Sequence, residues 1–115
     1  PPPANTAPVL GQVSATSTQL GCLAGYVGRA ETATISVQAT DNAGVTAVTA
    51  TLTGAETGTR SLAHGAGNTW SFVYNPANPE QGMGFGGDVT ITLRATDGSL
   101  NSNPSAVTVN VYCTG

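Results

Sequence analysis

The chain has 115 residues, enough for one domain around a single hydrophobic core. Charged residues make up only 8% of it, against a usual share of about 25%, and the net charge is −3 with no lysine anywhere. Arg29, Arg60 and Arg94 are the only cations and cannot assemble the basic face that phosphates or an anionic membrane require, while no apolar run approaches the roughly 20 residues of a membrane-spanning helix, so nucleic-acid binding and direct membrane insertion are excluded.

In chain order, residues 1–8 carry Pro1, Pro2, Pro3 and Pro8 without apolar periodicity and read as an extended, semi-rigid linker rather than as a charged-then-apolar leader. Such a lead-in is expected to follow a neighbouring domain upstream, with a disordered free terminus as the alternative, and the domain itself is set at residues 9–115. A first short strand is expected from Val9 to Val13. Thr34-Ile35-Ser36-Val37-Gln38-Ala39-Thr40 then alternates apolar with polar, the pattern of a strand with one dry face. Over Thr46 to Leu52 the inward set is Val48, Ala50 and Leu52. A short strand follows at Arg60 to Ala63, and in Trp70-Ser71-Phe72-Val73-Tyr74 the three aromatics share one face. Asp88 to Thr96 alternates again, and Val107, Val109 and Val111 complete seven strands. Helix content is expected to be close to nil, because no window has helical periodicity and β-branched Thr and Val favour pleated surfaces.

Turn signals separate the strands: Asp41-Asn42-Ala43-Gly44, His64-Gly65-Ala66-Gly67-Asn68 and Asp97-Gly98-Ser99. Without crossover helices to cover a parallel sheet, this punctuation predicts a two-sheet sandwich. Residues Thr34 to Asp41 align without gaps to Thr90 to Asp97, matching at the Thr, Ile, Ala, Thr and Asp positions. The echo predicts two central strands, one in each sheet, that turn at the same end. Cys22 falls in the long segment before the second of the seven strands and Cys113 closes the last. A Cys22–Cys113 disulfide at the opposite end is the expected state, which requires an oxidising compartment, with two buried free thiols as the alternative.

The combination Asn5-Thr6-Ala7-Pro8-Val9, Thr40-Asp41-Asn42-Ala43-Gly44-Val45 with Val48, Thr69-Trp70 and Ala95-Thr96-Asp97-Gly98 resembles bacterial immunoglobulin-like and fibronectin-III-like domains. Cys22 and Cys113 look like the paired cysteines of an actinobacterial subgroup found in ectodomains of membrane-anchored regulators and in secreted proteins. The resemblance implies an all-β, seven-stranded immunoglobulin-like β-sandwich of Greek-key connectivity with one disulfide, in an extracellular or cell-surface protein. It carries over no functional residue.

Asp41, Asp97 and His64 are expected at one end of the sandwich. Calcium needs six to eight oxygens and zinc three or four N or S ligands, neither of which the sequence offers there, so the two aspartates are read as capping their own turns. No nucleophile elbow accompanies the single histidine, so no enzyme is expected, and no cofactor or metal is implied. The glycines from Gly82 to Gly87 precede a strand and no helix, which removes a phosphate-loop reading. The connection from Asn75 to Gly87 is long for a small sandwich and makes Met83 and Phe85 a candidate binding surface, with Phe85 folded inward as the alternative. Tyr26 and Tyr112 form a second candidate surface, and Trp70 is expected in the core. The function expected is a non-catalytic spacer or presentation domain of a multi-domain bacterial surface or secreted protein, monomeric and flanked by neighbouring domains. A sensor ectodomain or glycan-binding module, with a protein or glycan ligand, is the alternative.

Overall fold

The computed structural model describes residues 6–21, 30, 32–75 and 85–113, with the side chains of 85, 86, 112 and 113 left out of that description. Ten strands run through these residues: β1 (Val9–Leu10), β2 (Ser14–Ala15), β3 (Gln19–Gly21), β4 (Ala33–Thr40), β5 (Ala47–Gly54), β6 (Gly58–Ser61), β7 (Ala63–His64), β8 (Thr69–Tyr74), β9 (Phe85–Thr96) and β10 (Ser105–Cys113). They form two sheets. The first has the order β1-β4-β8-β7, with β2 also paired to β4, and the second has the order β3-β10-β9-β5-β6. The architecture is thus all-β and sandwich-like among the described residues. The expected strand count of seven is corrected to ten.

The extra strands come from breaks that periodicity does not register. The Val9 to Val13 run is interrupted, so β1 pairs only two residues, Val9 with Thr40 and Leu10 with Ala39, before β2 rejoins β4 at Ser36 and Ile35. The strand expected over Arg60 to Ala63 changes sheet halfway. Ser61 pairs with Thr49 in the second sheet, Ala63 pairs with Ser71 in the first, and Leu62 alone crosses between them. Leu62 is buried, and its N–H donates to the Val48 carbonyl at 2.9 Å, so the crossing residue remains bonded to the sheet it leaves. On the other side the chain makes a similar passage from β2 to β3. There Thr16 N–H donates to the Thr34 carbonyl and β3 lies parallel to β10, Leu20 opposite Val111.

Alternation determines what lies between the sheets. Ile35, Val37 and Ala39 of β4 face inward with Trp70 and Tyr74 of β8, against Val48, Ala50 and Leu52 of β5, Val89, Ile91, Leu93 and Ala95 of β9, and Val109 and Val111 of β10. Phe72 and Val107 are half-buried beside them. The expected inward residues of β4, β5 and β9 and the core place of Trp70 are therefore found, and the two echoing segments are central strands of opposite sheets. Both finish at the same end, called the upper end below. Here β4 and β9 stop and β10 starts; β5 turns into β6 at the lower end. The turn at the lower end needs Gly54, whose φ is 99° and whose Cβ, if present, would stand 2.4 Å from the Asp88 carbonyl oxygen.

At the lower end the fully buried Tyr74 ends β8 and donates its hydroxyl to Glu56 Oε1 at 2.5 Å, while Glu56 Oε2 meets Arg60 at 3.3 Å. This chain ties the first sheet to the β5–β6 turn of the second. Burial, with the Glu56 carboxylate as acceptor, pushes the Tyr74 phenol well above its ordinary value near 10. Since the folded-state value lies above the unfolded one, the stabilisation is full below about pH 10 and is lost as pH rises beyond it. Tyr74→Phe should lower stability by about 1–3 kcal/mol in neutral-pH urea unfolding. It should also lessen the alkaline loss of stability that the wild-type chain shows above about pH 10, and an unchanged alkaline profile would contradict this assignment.

Candidate functional site

Two turns and a hairpin loop meet at the upper end, each held by its own side chains. After β4, Asp41 Oδ2 accepts the Ala43 N–H at 2.9 Å, which closes the turn before β5. After β9, Asp97 Oδ1 accepts the N–H groups of Ser99 and Leu100 at 2.8 and 2.7 Å. The returning chain is pinned by Ser102, whose side chain is buried and accepts the Ala95 N–H at 2.9 Å while its own N–H donates to the Ala95 carbonyl at 2.8 Å. The expected turn-capping role of both aspartates is therefore present.

Between β7 and β8, His64 Nε2 lies 2.7 Å from the Gly67 carbonyl oxygen. A carbonyl only accepts, so Nε2 is the donor in this contact. The His64 ring stacks on Trp70 with centroids 4.5 Å apart and planes 8° from parallel. The two residues are directly opposite in the β7–β8 pairing, so the register makes the stack. Ala39 N–H donates to the Asn68 carbonyl at 2.9 Å and joins this loop to the end of β4.

The end of β4 with the turn after it, and the β7–β8 hairpin, line an open cavity of about 410 Å³, within the size range of small-ligand sites. Asp41, Asn68 and Thr40 supply its polar wall; His64, Trp70 and Val45 supply the aromatic and apolar one. Asp41 Oδ1 is buried and has no hydrogen-bond partner among the described residues. Sequence reasoning brought Asp41 and His64 to one end but missed the stack and the cavity. The signal available was the placement of His64 and Trp70 at either side of a short Gly-rich turn.

A second, smaller concavity of about 230 Å³ lies on the outer face of the second sheet, lined by Thr49, Thr51, Thr92, Arg94 and Asn101. That face is a hydroxyl array. Thr51 is opposite Thr92 and Thr53 opposite Thr90, which in turn bonds Thr108 across to β10 at 3.3 Å. The exposed large apolar residues Val9, Val73 and Leu100 are spread over different strands and a loop. Among the described residues no group of three or more His, Cys, Asp or Glu side chains is placed to hold a metal ion.

Of the residues proposed as binding surfaces, Met83 and Tyr26 lie outside the described residues, as does Cys22. Phe85 was expected in a loop; its backbone instead begins β9, opposite Cys113, and Tyr112 is opposite Gly86. The side chains of Phe85, Tyr112 and Cys113 are outside the description.

Asp97→Ala, which strands two N–H groups at a loop carrying the end of β9, should cost about 1–3 kcal/mol in thermal or urea unfolding. A change under about 0.5 kcal/mol would show that the loop is held without this cap. Comparison with known protein families, curated proteins and solved structures finds no match for this chain.

Proposed function

We propose that the chain is a non-catalytic, immunoglobulin-like module acting as a spacer or presentation domain in a multi-domain bacterial surface or secreted protein. The observation that carries this reading is the position of the two ends. Val9 begins β1 opposite Thr40 at the upper end, and β10 finishes opposite Phe85 at the lower end, so the described chain enters at one tip and leaves at the other. Copies joined end to end then extend along one axis. The strand order supports the immunoglobulin-like part of the reading: β1/β2-β4-β8-β7 corresponds to A-B-E-D, and β3-β10-β9-β5-β6 to A′-G-F-C-C′. A hydroxyl-rich outer face with few charges suits a solvated rod.

The Cys22–Cys113 disulfide belongs to the same proposal, and with it an oxidising, extracellular location. Its support is the register of the parallel pair. Gly21 is opposite Tyr112, and each cysteine is the next residue along its own chain in the shared direction. A disulfide joins residues whose Cα atoms are roughly 4.4–6.8 Å apart, and a parallel register that ends one residue short of both cysteines favours such a pairing.

Two experiments test these readings. At about 3.3 Å per residue the twelve residues of β9 span roughly 40 Å, so two copies in tandem should lengthen the maximum dimension in small-angle scattering by about that amount. Tandem copies folded side by side would overturn the spacer reading. Protein secreted from an oxidising compartment should resist alkylation until reduced and weigh two hydrogens less than the dithiol, and reduction should lower its stability by about 2–5 kcal/mol. Two thiols that alkylate freely in the folded, unreduced protein would remove the bridge.

A further inference from the structure

We infer that the concavity on the outer face of the second sheet is a binding site for an acidic sugar, held by its carboxylate, either as a free uronic acid or as a residue of a polysaccharide. The inference goes beyond the spacer role and does not depend on it. It rests first on Arg94. Among the described residues Arg60 is paired with Glu56, whereas no carboxylate is within ion-pair distance of Arg94. Its Nη1 approaches the Ser102 carbonyl at 3.5 Å, which engages one of the five N–H donors of a guanidinium. Asp97, the acid closest to it in sequence, is turned onto the N–H groups of Ser99 and Leu100 and does not line the concavity.

Alternation places the other polar groups on the same face. Val48, Ala50 and Leu52 of β5 and Ile91, Leu93 and Ala95 of β9 are buried in the core, so Thr49, Thr51, Thr92 and Arg94 project outward. Thr49 is directly opposite Arg94, and Thr51 directly opposite Thr92, so the register sets three hydroxyls beside the guanidinium. All four line the same hollow of about 230 Å³. Thr49, Thr51 and Arg94 are exposed and Thr92 is half-buried, so a ligand reaches them from water without any opening of the fold.

The chemistry of this lining selects the ligand. A guanidinium fork engages a planar carboxylate through two parallel N–H bonds and leaves a neutral pair. A phosphate monoester would bring a second negative charge to a chain of net charge −3, and no further cation lines the hollow among the described residues. Threonine hydroxyls both donate and accept, as sugar hydroxyls do, so they complement a ring that carries hydroxyls beside its carboxylate. Among the described residues Ala95 is the one apolar residue of the lining and no aromatic joins it, so an aromatic or fatty acid gains little there. The hydroxyl face continues toward the lower end through Thr53, Thr90 and Thr108, which offers similar partners to the next residues of a polysaccharide.

The isotope-labelled full chain is titrated into the tens of millimolar at constant ionic strength, and its backbone amide and Arg94 Nε–H resonances are followed by NMR. The probes are methyl glucuronoside, methyl galacturonoside and trigalacturonate, with methyl glucoside and methyl galactoside as neutral counterparts, and acetate and inorganic phosphate as simple anions. Saturable shifts are expected at Thr49, Thr51, Thr92 and Arg94 with at least one of the uronates, and none with the neutral sugars. Equal affinity for the monomer and trimer of galacturonate assigns the site to a single sugar acid; a tighter trimer assigns it to a polysaccharide. Arg94→Gln should weaken binding at least tenfold with the melting temperature retained. Arg94→Lys, which keeps the charge without the fork, should also bind more weakly than the wild-type chain. Should these variants fail to fold, the comparison of uronates with neutral sugars and simple anions on the wild-type chain decides alone. The inference is overturned if a neutral sugar, acetate or phosphate binds as tightly as the uronates, if the shifts fall on another face, if Arg94→Lys binds like the wild-type chain, or if nothing binds.

Discussion

Two rows of aliphatic side chains, one from each sheet, must be buried against each other, and every other feature of this molecule depends on that. β4 contributes Ile35, Val37 and Ala39, while β9 contributes Val89, Ile91, Leu93 and Ala95, all essentially inaccessible to water. Because side chains on a strand alternate, a slip of one residue would exchange these rows for Thr34, Ser36, Gln38 and Thr40 in β4 or for Asp88, Thr90, Thr92, Arg94 and Thr96 in β9, so the register is strongly determined. The turns after β4 and β9 are thereby fixed at a common end, and the cavity wall formed by Asp41, Asn68 and the His64–Trp70 pair is a consequence of where the hydrophobic rows stop.

Much of this was legible in the sequence, for identifiable reasons. The central strands carry long, uninterrupted alternation, and their ends carry Asp-Asn-Ala-Gly and Asp-Gly-Ser, so elements, inward faces and caps could all be read. Short pairings could not. β3 has three residues, too few for a period, and its parallel partner is about ninety residues away in sequence. The β6–β7 passage was missed because Leu62 keeps the alternation intact while the backbone changes sheets. The Tyr74–Glu56–Arg60 chain was equally invisible, since an aromatic and an acid eighteen residues apart give no local signal of contact. At the candidate site the individual residues were legible and their juxtaposition was not: the stacking of His64 on Trp70 follows from the pairing of two short strands whose register is set by tertiary contacts.

Charge is sparse, and what there is has been segregated. The one ion pair among the described residues, Arg60 with Glu56, is at the lower end, where it closes the bond to Tyr74; the upper end carries carboxylates bound chiefly to backbone N–H groups. Among the described residues, Asp41 Oδ1 at the upper end is buried without a hydrogen-bond partner. Between the two ends the sheet faces are covered with hydroxyls, which hydrate well without generating long-range fields.

The parallel pairing of β3 with β10 has a mechanical consequence. With the protein tethered at both termini and stretched, the upper end is drawn one way and the lower end the other, so β3 and β10 are dragged in opposite directions along their common axis. The bonds joining Gln19, Leu20 and Gly21 to Asn110, Val111 and Tyr112, together with the one from Asn110 N–H to the Thr18 carbonyl, are then sheared collectively rather than peeled one at a time. A clasp loaded in this fashion yields only when several bonds rupture together, which makes this strand pair a natural bearer of tension along the molecule's long axis.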